Sequence, residues 1–403
     1  MKIIIGDTVI WQNKNVLFLL ILVLFVIAGC FNSEKTDYKT IAKEDVLVQY
    51  TALPKTVKSP KDNPSSPEKA ALGKLLFFDP ILSGNKDVAC ATCHHPKNGY
   101  AEFRDISIGV NGKGFGSTRV FNTPNDIPFV KRNAHTILNT AYNGIDTNNE
   151  YDPEKAPMFW DSRVESLEKQ ALEPIKALEE MRGRKYAEKD ILDVVIARLK
   201  AIPEYQILFE EAFGEKDAIN SINLSKAIAV FERTLVTNNS RFDQYVAGDE
   251  NAISLSEKEG FKLFKKVGCA NCHKGPMFSD YKMHVLSLQE NNKLKIIDSG
   301  FGQQFSFRTP SLRNLQFTAP YMHNGKMKNL QKVLEFYEDI ASGRSQNPNI
   351  EDDQLDSLVK KIRIKVMDMA PIISFLNTLN ETDFDKEVVD AVPSGLPVGG
   401  DIN

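Results

Sequence analysis

Cysteine is scarce in this chain of 403 residues: there are five, with six histidines and two tryptophans. So few thiols exclude a disulfide-stapled fold, and a chain of this length buries enough surface to do without one. The net charge is only −3, too weak a field to hold nucleic acid, so that partner is excluded. Long alternating apolar and polar runs are missing too, which removes an extended sheet and leaves a mainly α fold as the expectation. No apolar run reaches the roughly 20 residues of a membrane-spanning helix.

What little cysteine there is has been concentrated. "CATCHHPKNGY" opens at Cys90 and "CANCHKGPMFS" at Cys269, so that four of the thiols and two histidines stand in two copies of CxxCH. A zinc ribbon spaces its CxxC pairs by roughly 15 to 20 residues, far less than the stretch between Cys93 and Cys269. A thioredoxin-type redox pair wants a βαβ setting and no second copy. The remaining reading is c-type haem attachment. Cysteines three apart lie on one face of a helical turn, so Cys90 with Cys93, and Cys269 with Cys272, each bond one porphyrin edge. His94 and His273 then supply the proximal nitrogen to iron. Two covalent haems are expected.

The fifth cysteine closes a different segment. Lys2 and Lys14 precede "VLFLLILVLFVIAGC", whose apolar part runs from Val16 to Ala28 and ends in small residues. This reads as a secretory signal, 1–29. "IAGC" resembles a bacterial lipoprotein cleavage box, which implies lipidation of Cys30 and a protein lipid-anchored on the periplasmic side of a bacterial membrane. An uncleaved anchor is the alternative, since the leading segment is long and contains Asp7. Residues 30–65, polar and ending in "SPKDNPSSP", read as a tether.

Two domains are expected beyond it, 66–235 and 236–403, the second with an irregular tail. Ser66 caps a helix with Pro67 in its first turn, and Ser256 with Glu259 reads as a capping box. "LGKLLF" ahead of Cys90 and "EGFKLF" ahead of Cys269 form a repeat, giving two cytochrome c-like domains each wrapped around one haem. Leu224, Ile228, Phe231 and Leu235, and Ile191, Val194, Val195 and Leu199, keep the spacing of buried helical stripes.

Chemistry beyond electron transfer needs an open iron and an acid–base group beside it. "MFWDSRVESLEKQALEPIKALEEM" offers Trp160, Gln170, Pro174 and Glu180. With "LGKLLFFDPILS", "RNAHTILNTAYN", "CHKGPMFSD" and "FRTPSLRNLQFTAPYMHNGKMKNL", this stretch resembles the bacterial di-haem cytochrome c peroxidases, including MauG-type enzymes, over roughly residues 66 to 398. The resemblance implies that Trp160 carries electrons between the haems, and that Gln170 and Glu180 line the peroxide pocket of the N-terminal haem. It further implies a calcium ion held by Asn133, Thr318 and Pro320. The partners implied are hydrogen peroxide, a small electron donor such as a cytochrome c or cupredoxin entering at the C-terminal haem, and the membrane through the lipid anchor. A homodimer is left open. Arg308 and Arg313 are candidates to pair with haem propionates, or else plain surface charges.

Two positions depart from that pattern. Many members place a capping histidine in the loop after the first CxxCH; "SIGVNGKG" has Val110 there, which cannot ligate iron, and His135 is the nearby substitute. The distal ligand of the C-terminal haem, a methionine in the peroxidases, falls on Tyr337, as in MauG-type enzymes, with Met283, His284 and Met327 as fallbacks. A peroxidase is therefore expected, against a MauG-like oxidase of a protein substrate or a non-catalytic di-haem carrier.

Overall fold

Ser66 accepts a hydrogen bond from the Lys69 amide at 3.3 Å and so starts α1 (Pro67–Phe78), with Pro67 at the position where its missing N–H is harmless. The computed structural model describes residues 50–402. The signal segment, Cys30 and the first part of the tether lie outside the described residues. Among those described, six more helices of ten residues or longer follow: α2 (Ile191–Lys200), α3 (Pro203–Phe213), α4 (Ser221–Thr234), α5 (Leu255–Lys266), α6 (Leu330–Ile340) and α7 (Val366–Leu376). No helix among them is long and apolar enough to cross a membrane. Strand is confined to three short antiparallel ribbons: β1 (Gly112–Lys113) with β2 (Val120–Phe121), β3 (Pro157–Met158) with β4 (Val164–Glu165), and β5 (Met283–Val285) with β6 (Ser306–Arg308). The protein is largely helical.

The repeat seen in sequence has a physical basis in two helix crossings. A Cβ on Gly73 of α1 would lie 2.0 Å from the Ala227 carbonyl oxygen of α4 and 2.8 Å from Phe231 Cβ. A Cβ on Gly260 of α5 would lie 2.0 Å from the Pro371 carbonyl oxygen of α7 and 3.0 Å from Phe375 Cβ. Only glycine lets the backbones approach this closely. Thr234 and Thr378 each return a 2.7 Å hydrogen bond to the carbonyl of Phe231 and Phe375. "FERTL" at 231–235 and "FLNTL" at 375–379 are therefore structural counterparts. Asn139 and Asn314, both left-handed, meet at the Thr237 hydroxyl at 2.6 and 2.7 Å.

The apolar stripes are core. Leu224, Ile228, Phe231 and Leu235 are buried, as are Ile191, Val195 and Leu199, while Val194 stays partly open. Three sequence expectations need correction. The capping box of α5 is Ser254 with Glu257, not Ser256 with Glu259; "SLSEKE" offers the S-x-x-E spacing twice, and the earlier serine wins. Residues 50–65 are not tether. Tyr50 and Leu53 are buried, the Tyr50 hydroxyl donates to the His273 carbonyl at 2.9 Å, and its ring packs on Phe261 and Phe278. The tail, placed with the C-terminal half, crosses to the N-terminal one. Gly400 bridges to Val88, Thr92 donates to the Gly399 carbonyl, and Ser394 donates to Asp79 at 2.7 Å.

Candidate active site

Both CxxCH motifs fold as single turns, each closed by the histidine amide donating back to the first cysteine's carbonyl at 2.9 Å. His94 Nδ1 lies 3.1 Å from the Tyr100 carbonyl and His273 Nδ1 lies 2.9 Å from the Phe278 carbonyl. That contact fixes the tautomer and leaves Nε2 as the nitrogen for a metal. Burial pushes the Cys90 and Cys269 thiols up to about 12, the opposite of a reactive or metal-binding thiolate. One continuous cavity of about 610 Å³ is lined by Cys90, Cys93, His94, Cys269, Cys272 and His273 together. Among the described residues the two cysteine pairs do not gather into one four-thiol site, so the zinc reading fails. The donor set and the shared cavity fit two covalent haems. Bound there, haem iron supplies redox chemistry and a coordination position for an oxygen ligand.

The residues singled out in sequence, Trp160, Gln170, Pro174 and Glu180, all line this cavity, and Glu180 lies close enough to Cys90 and Cys93 to act on both thiols. Gln170 ends a one-turn helix capped by Ser166, and Glu180 sits in a π-helical turn, Leu178–Arg182, whose Arg182 and Gly183 amides donate five residues back. Such turns recur at functional sites because they redirect one side chain without ending the helix. The loop carrying Val110 braces it, with the Val110 amide donating to the Glu180 carbonyl at 3.0 Å. Gly109 is required beside it, since a Cβ there would meet that carbonyl at 2.1 Å. Glu180 is not the solvated helix charge its sequence setting allowed. Burial, then Glu179, push its carboxyl up to about 7, with Arg163 pulling the other way.

Val110 is fully buried in the apolar core and cannot approach iron. His135 does not replace it as a cap. Its ring stacks on Trp160 at 4.0 Å and 29°, and it lies close enough to His94 and Arg308 for both to lower its pKa, after burial, well below the usual range. It therefore belongs with the proximal histidine and the tryptophan. Trp160 donates from Nε1 to the Asn133 carbonyl at 3.0 Å, and its ring meets His323 edge-on at 6.3 Å.

At the other end, Tyr337 of α6 lines the cavity with Cys269, Cys272 and His273, whereas Met283 and Met327 do not. His284 is already engaged. Its Nδ1 lies 2.6 Å from Asp356 and its Nε2 3.2 Å from Asp280, and although burial opposes it, contacts with Asp280, Cys272 and Asp356 push its pKa up to about 11. Arg313 makes a buried two-bond pair with Asp243 at 2.8 Å and also lines the cavity, so it is not a surface charge. Arg308 is buried, lines the cavity and commits Nε to the Phe159 carbonyl. Asn133, Thr318 and Pro320 come to the same cavity wall, where Asn133 gives its amide nitrogen to the Arg104 and Asp105 carbonyls.

Sequence reasoning missed two buried acids. Glu102 and Glu232 are 2 and 5 % exposed, with both oxygens of Glu102 and Oε2 of Glu232 unpartnered. The signal for Glu232 was legible: it is the acid in "FERTL" where the counterpart "FLNTL" has leucine.

Comparison with known proteins agrees with this geometry. The sequence profile of the di-haem cytochrome c peroxidases that include MauG matches residues 67–251. The methylamine utilization protein MauG of Methylorubrum extorquens is 36 % identical over 331 residues, covering 81 % of this chain and 82 % of that one. The cytochrome-c peroxidase IdrP1 of a Pseudomonas species (strain SCT) is 32 % identical over 362 residues, covering 80 % and 84 %. A crystal structure of a MauG-like protein associated with microbial copper homeostasis superposes with a TM-score of 0.65 at 25 % identity, over 87 % of this chain and 98 % of that one. The likeness to these relatives runs along most of the chain, which belongs to the family of di-haem cytochrome c peroxidases, oxidoreductases carrying two c-type haems.

Proposed function

We propose that this protein reduces hydrogen peroxide to water at its N-terminal haem, with electrons that a small redox protein delivers to the C-terminal one. The observation that carries the reading is Glu180, a half-buried carboxyl raised to about 7 in the same cavity as Cys90, Cys93 and Gln170. A group with that pKa exchanges a proton in both directions near neutral pH. Glu180 would move a proton from the inner to the outer peroxide oxygen, so that water departs rather than hydroxide. Gln170 would hold the peroxide by hydrogen bonding. Trp160, with its N–H on a backbone carbonyl that cannot take a proton, would pass electrons between the two ends. Asn133, Thr318 and Pro320 would hold calcium, a cation suited to oxygen donors. Lipidation at Cys30 would keep the enzyme on the periplasmic side of the membrane.

With Val110 in the core, the N-terminal haem is expected to rest with an open position, and Tyr337 is expected to complete the other. Burial holds the Tyr337 hydroxyl above its usual range, so its phenolate needs a metal charge beside it. The same tyrosine, and the likeness to MauG, support a second reading: an oxidase that withdraws electrons from a bound protein. Steady-state peroxide consumption by the purified di-haem protein, with reduced cytochromes and cupredoxins as donors, separates the two. Turnover with a small donor supports the peroxidase; peroxide use only in the presence of a protein that becomes oxidised supports the other.

A further inference from the structure

The counterpart relation between α4 and α7 isolates one residue. Ile228, Phe231, Thr234 and Leu235 correspond to Ile372, Phe375, Thr378 and Leu379, fixed by the matching contacts at Gly73 and Gly260. Within these matched residues the chemistry changes at one position that faces the cavity: Glu232 lines it in the first half and Leu376 in the second, each 5 % exposed. A carboxyl has replaced a leucine in a place built for an apolar side chain. Its Oε2 has no hydrogen-bond partner, a penalty that a purely structural site would be expected to shed.

Resting on the reading of the first haem as the site of peroxide reduction, we propose that Glu232 is the second proton donor of that reaction, serving the oxygen that Glu180 does not. The balance requires such a group. Reduction of one peroxide takes two electrons and two protons and yields two waters, whereas Glu180 only relocates a proton already on the peroxide when the first water leaves. The oxygen left behind must gain two electrons from the donor and two protons from outside. Glu232 would give one of these: its O–H bond breaks, an O–H bond forms on the second water, directly or through a cavity water, and solvent reprotonates the carboxylate.

The surroundings keep the acid form loaded. Burial pushes the Glu232 carboxyl up to about 8, with Arg233 drawing it down and Glu168 pushing it up. Arg233 is itself paired with Glu168 at 2.7 Å. The other group against it is Cys90, whose sulfur carries no charge once bonded to haem. Glu232 is thus protonated below about pH 8 and empties above it. Leu376, at the matching place in the second half, has no proton to give.

The test uses Glu232→Gln, isosteric but unable to donate a proton, and Glu232→Leu, which copies the second half. Both are first checked for two haems and a native spectrum. Diferric enzyme is mixed rapidly with peroxide and excess reduced donor, while an indicator dye in weak buffer follows proton uptake. In the wild type, return to the resting spectrum should slow as pH rises through about 8. In both variants that phase and the accompanying proton uptake should be slower by about 10²-fold at pH 7, and the alkaline limb should be absent. The initial cleavage step, which depends on Glu180, should keep its rate. Wild-type uptake and an intact alkaline limb in Glu232→Gln would overturn the proposal. The underlying reading fails separately: if the wild type does not reduce peroxide, or Glu180→Gln leaves cleavage unaffected, the peroxidase assignment is wrong whatever Glu232 does.

Discussion

Gly73 and Gly260, Phe231 and Phe375, and the carbonyls of Tyr100 and Phe278 that fix the two proximal histidines mark one plan used twice. The two ends differ in how they hold acids. Around the first motif Glu180, Glu102 and Glu232 are raised to about 7, 7 and 8, with burial the largest cause for each. Around the second motif the buried carboxylate Asp280, although burial opposes it, is held down to about 2 by His284, the Lys282 amide and the Thr309 hydroxyl. Glu102 and Asp280 stand at matching places, two residues after the aromatic whose carbonyl receives the proximal histidine. Glu180, Glu102 and Glu232 store protons that can move, whereas Asp280 is a fixed charge. Proton-coupled oxygen chemistry needs the former, and an electron-transfer site is served by the latter.

The largest effect should come from the acid at the centre of that contrast. Glu180→Gln is expected to slow peroxide cleavage by about 10²- to 10⁴-fold, the range for loss of a general acid–base group, with haem spectra little changed. Stopped-flow mixing of diferric enzyme with peroxide reads it directly. An unaltered rate would reduce Glu180 to a half-buried helix-turn residue with no part in the reaction.

Next come the shared crossings. Gly73→Ala and Gly260→Ala each force a Cβ to 2.0 Å from a backbone oxygen that cannot rotate away. Overpacking of this kind costs about 1 to 3 kcal/mol, so both variants should lose thermal stability. If only one is destabilised, the two halves do not share the crossing that defines their correspondence. Tyr337→Met would sharpen the comparison from the other side. Replacing a hard anionic ligand with a thioether should raise the potential of the C-terminal haem. A redox titration showing no change would reject Tyr337 as its ligand.

How much of this was readable in advance depends on the range of the interactions. Haem attachment, the capped start of α1 and the buried stripes of α2 and α4 rest on neighbours a few residues apart, and the sequence displays them. Tyr50 reaches His273, and the tail reaches Val88 and Asp79, across most of the chain, where no local pattern signals the contact. The pKa of Glu180 was likewise invisible, because "LEEM" reads as an exposed helix until the Gly109 loop closes over it. The stacking of His135 on Trp160 was invisible for the same reason, since it joins residues 25 apart in a region without helical periodicity.

The smallest effects are also the cleanest test of whether Glu102 and Asp280 are counterparts of opposite character. Glu102 is 2 % exposed, and burial raises it to about 7, against the pull of nearby Ser107, Arg104 and Arg119, with Asp105 adding to the rise. An unfolded glutamate ionises above about 4.5, so between pH 4.5 and 7 the unfolded state sheds a proton that the folded state keeps, and stability falls across that window. Glu102→Gln removes this loss. Its gain should be near zero at pH 4.5 and grow to about 1 to 2 kcal/mol above pH 7. Asp280 carries the opposite sign. Its depressed pKa stabilises the fold above the ordinary 3.8, and that contribution disappears only as pH falls through about 2. Asp280→Asn should therefore lose a similar amount at pH 5 and at pH 8 alike. Thermal unfolding of both variants at these two pH values decides the matter: a pH-dependent gain at one site with a pH-independent loss at the other supports the division of roles, and two losses of the same size would mean that Glu102 is as fixed a charge as Asp280.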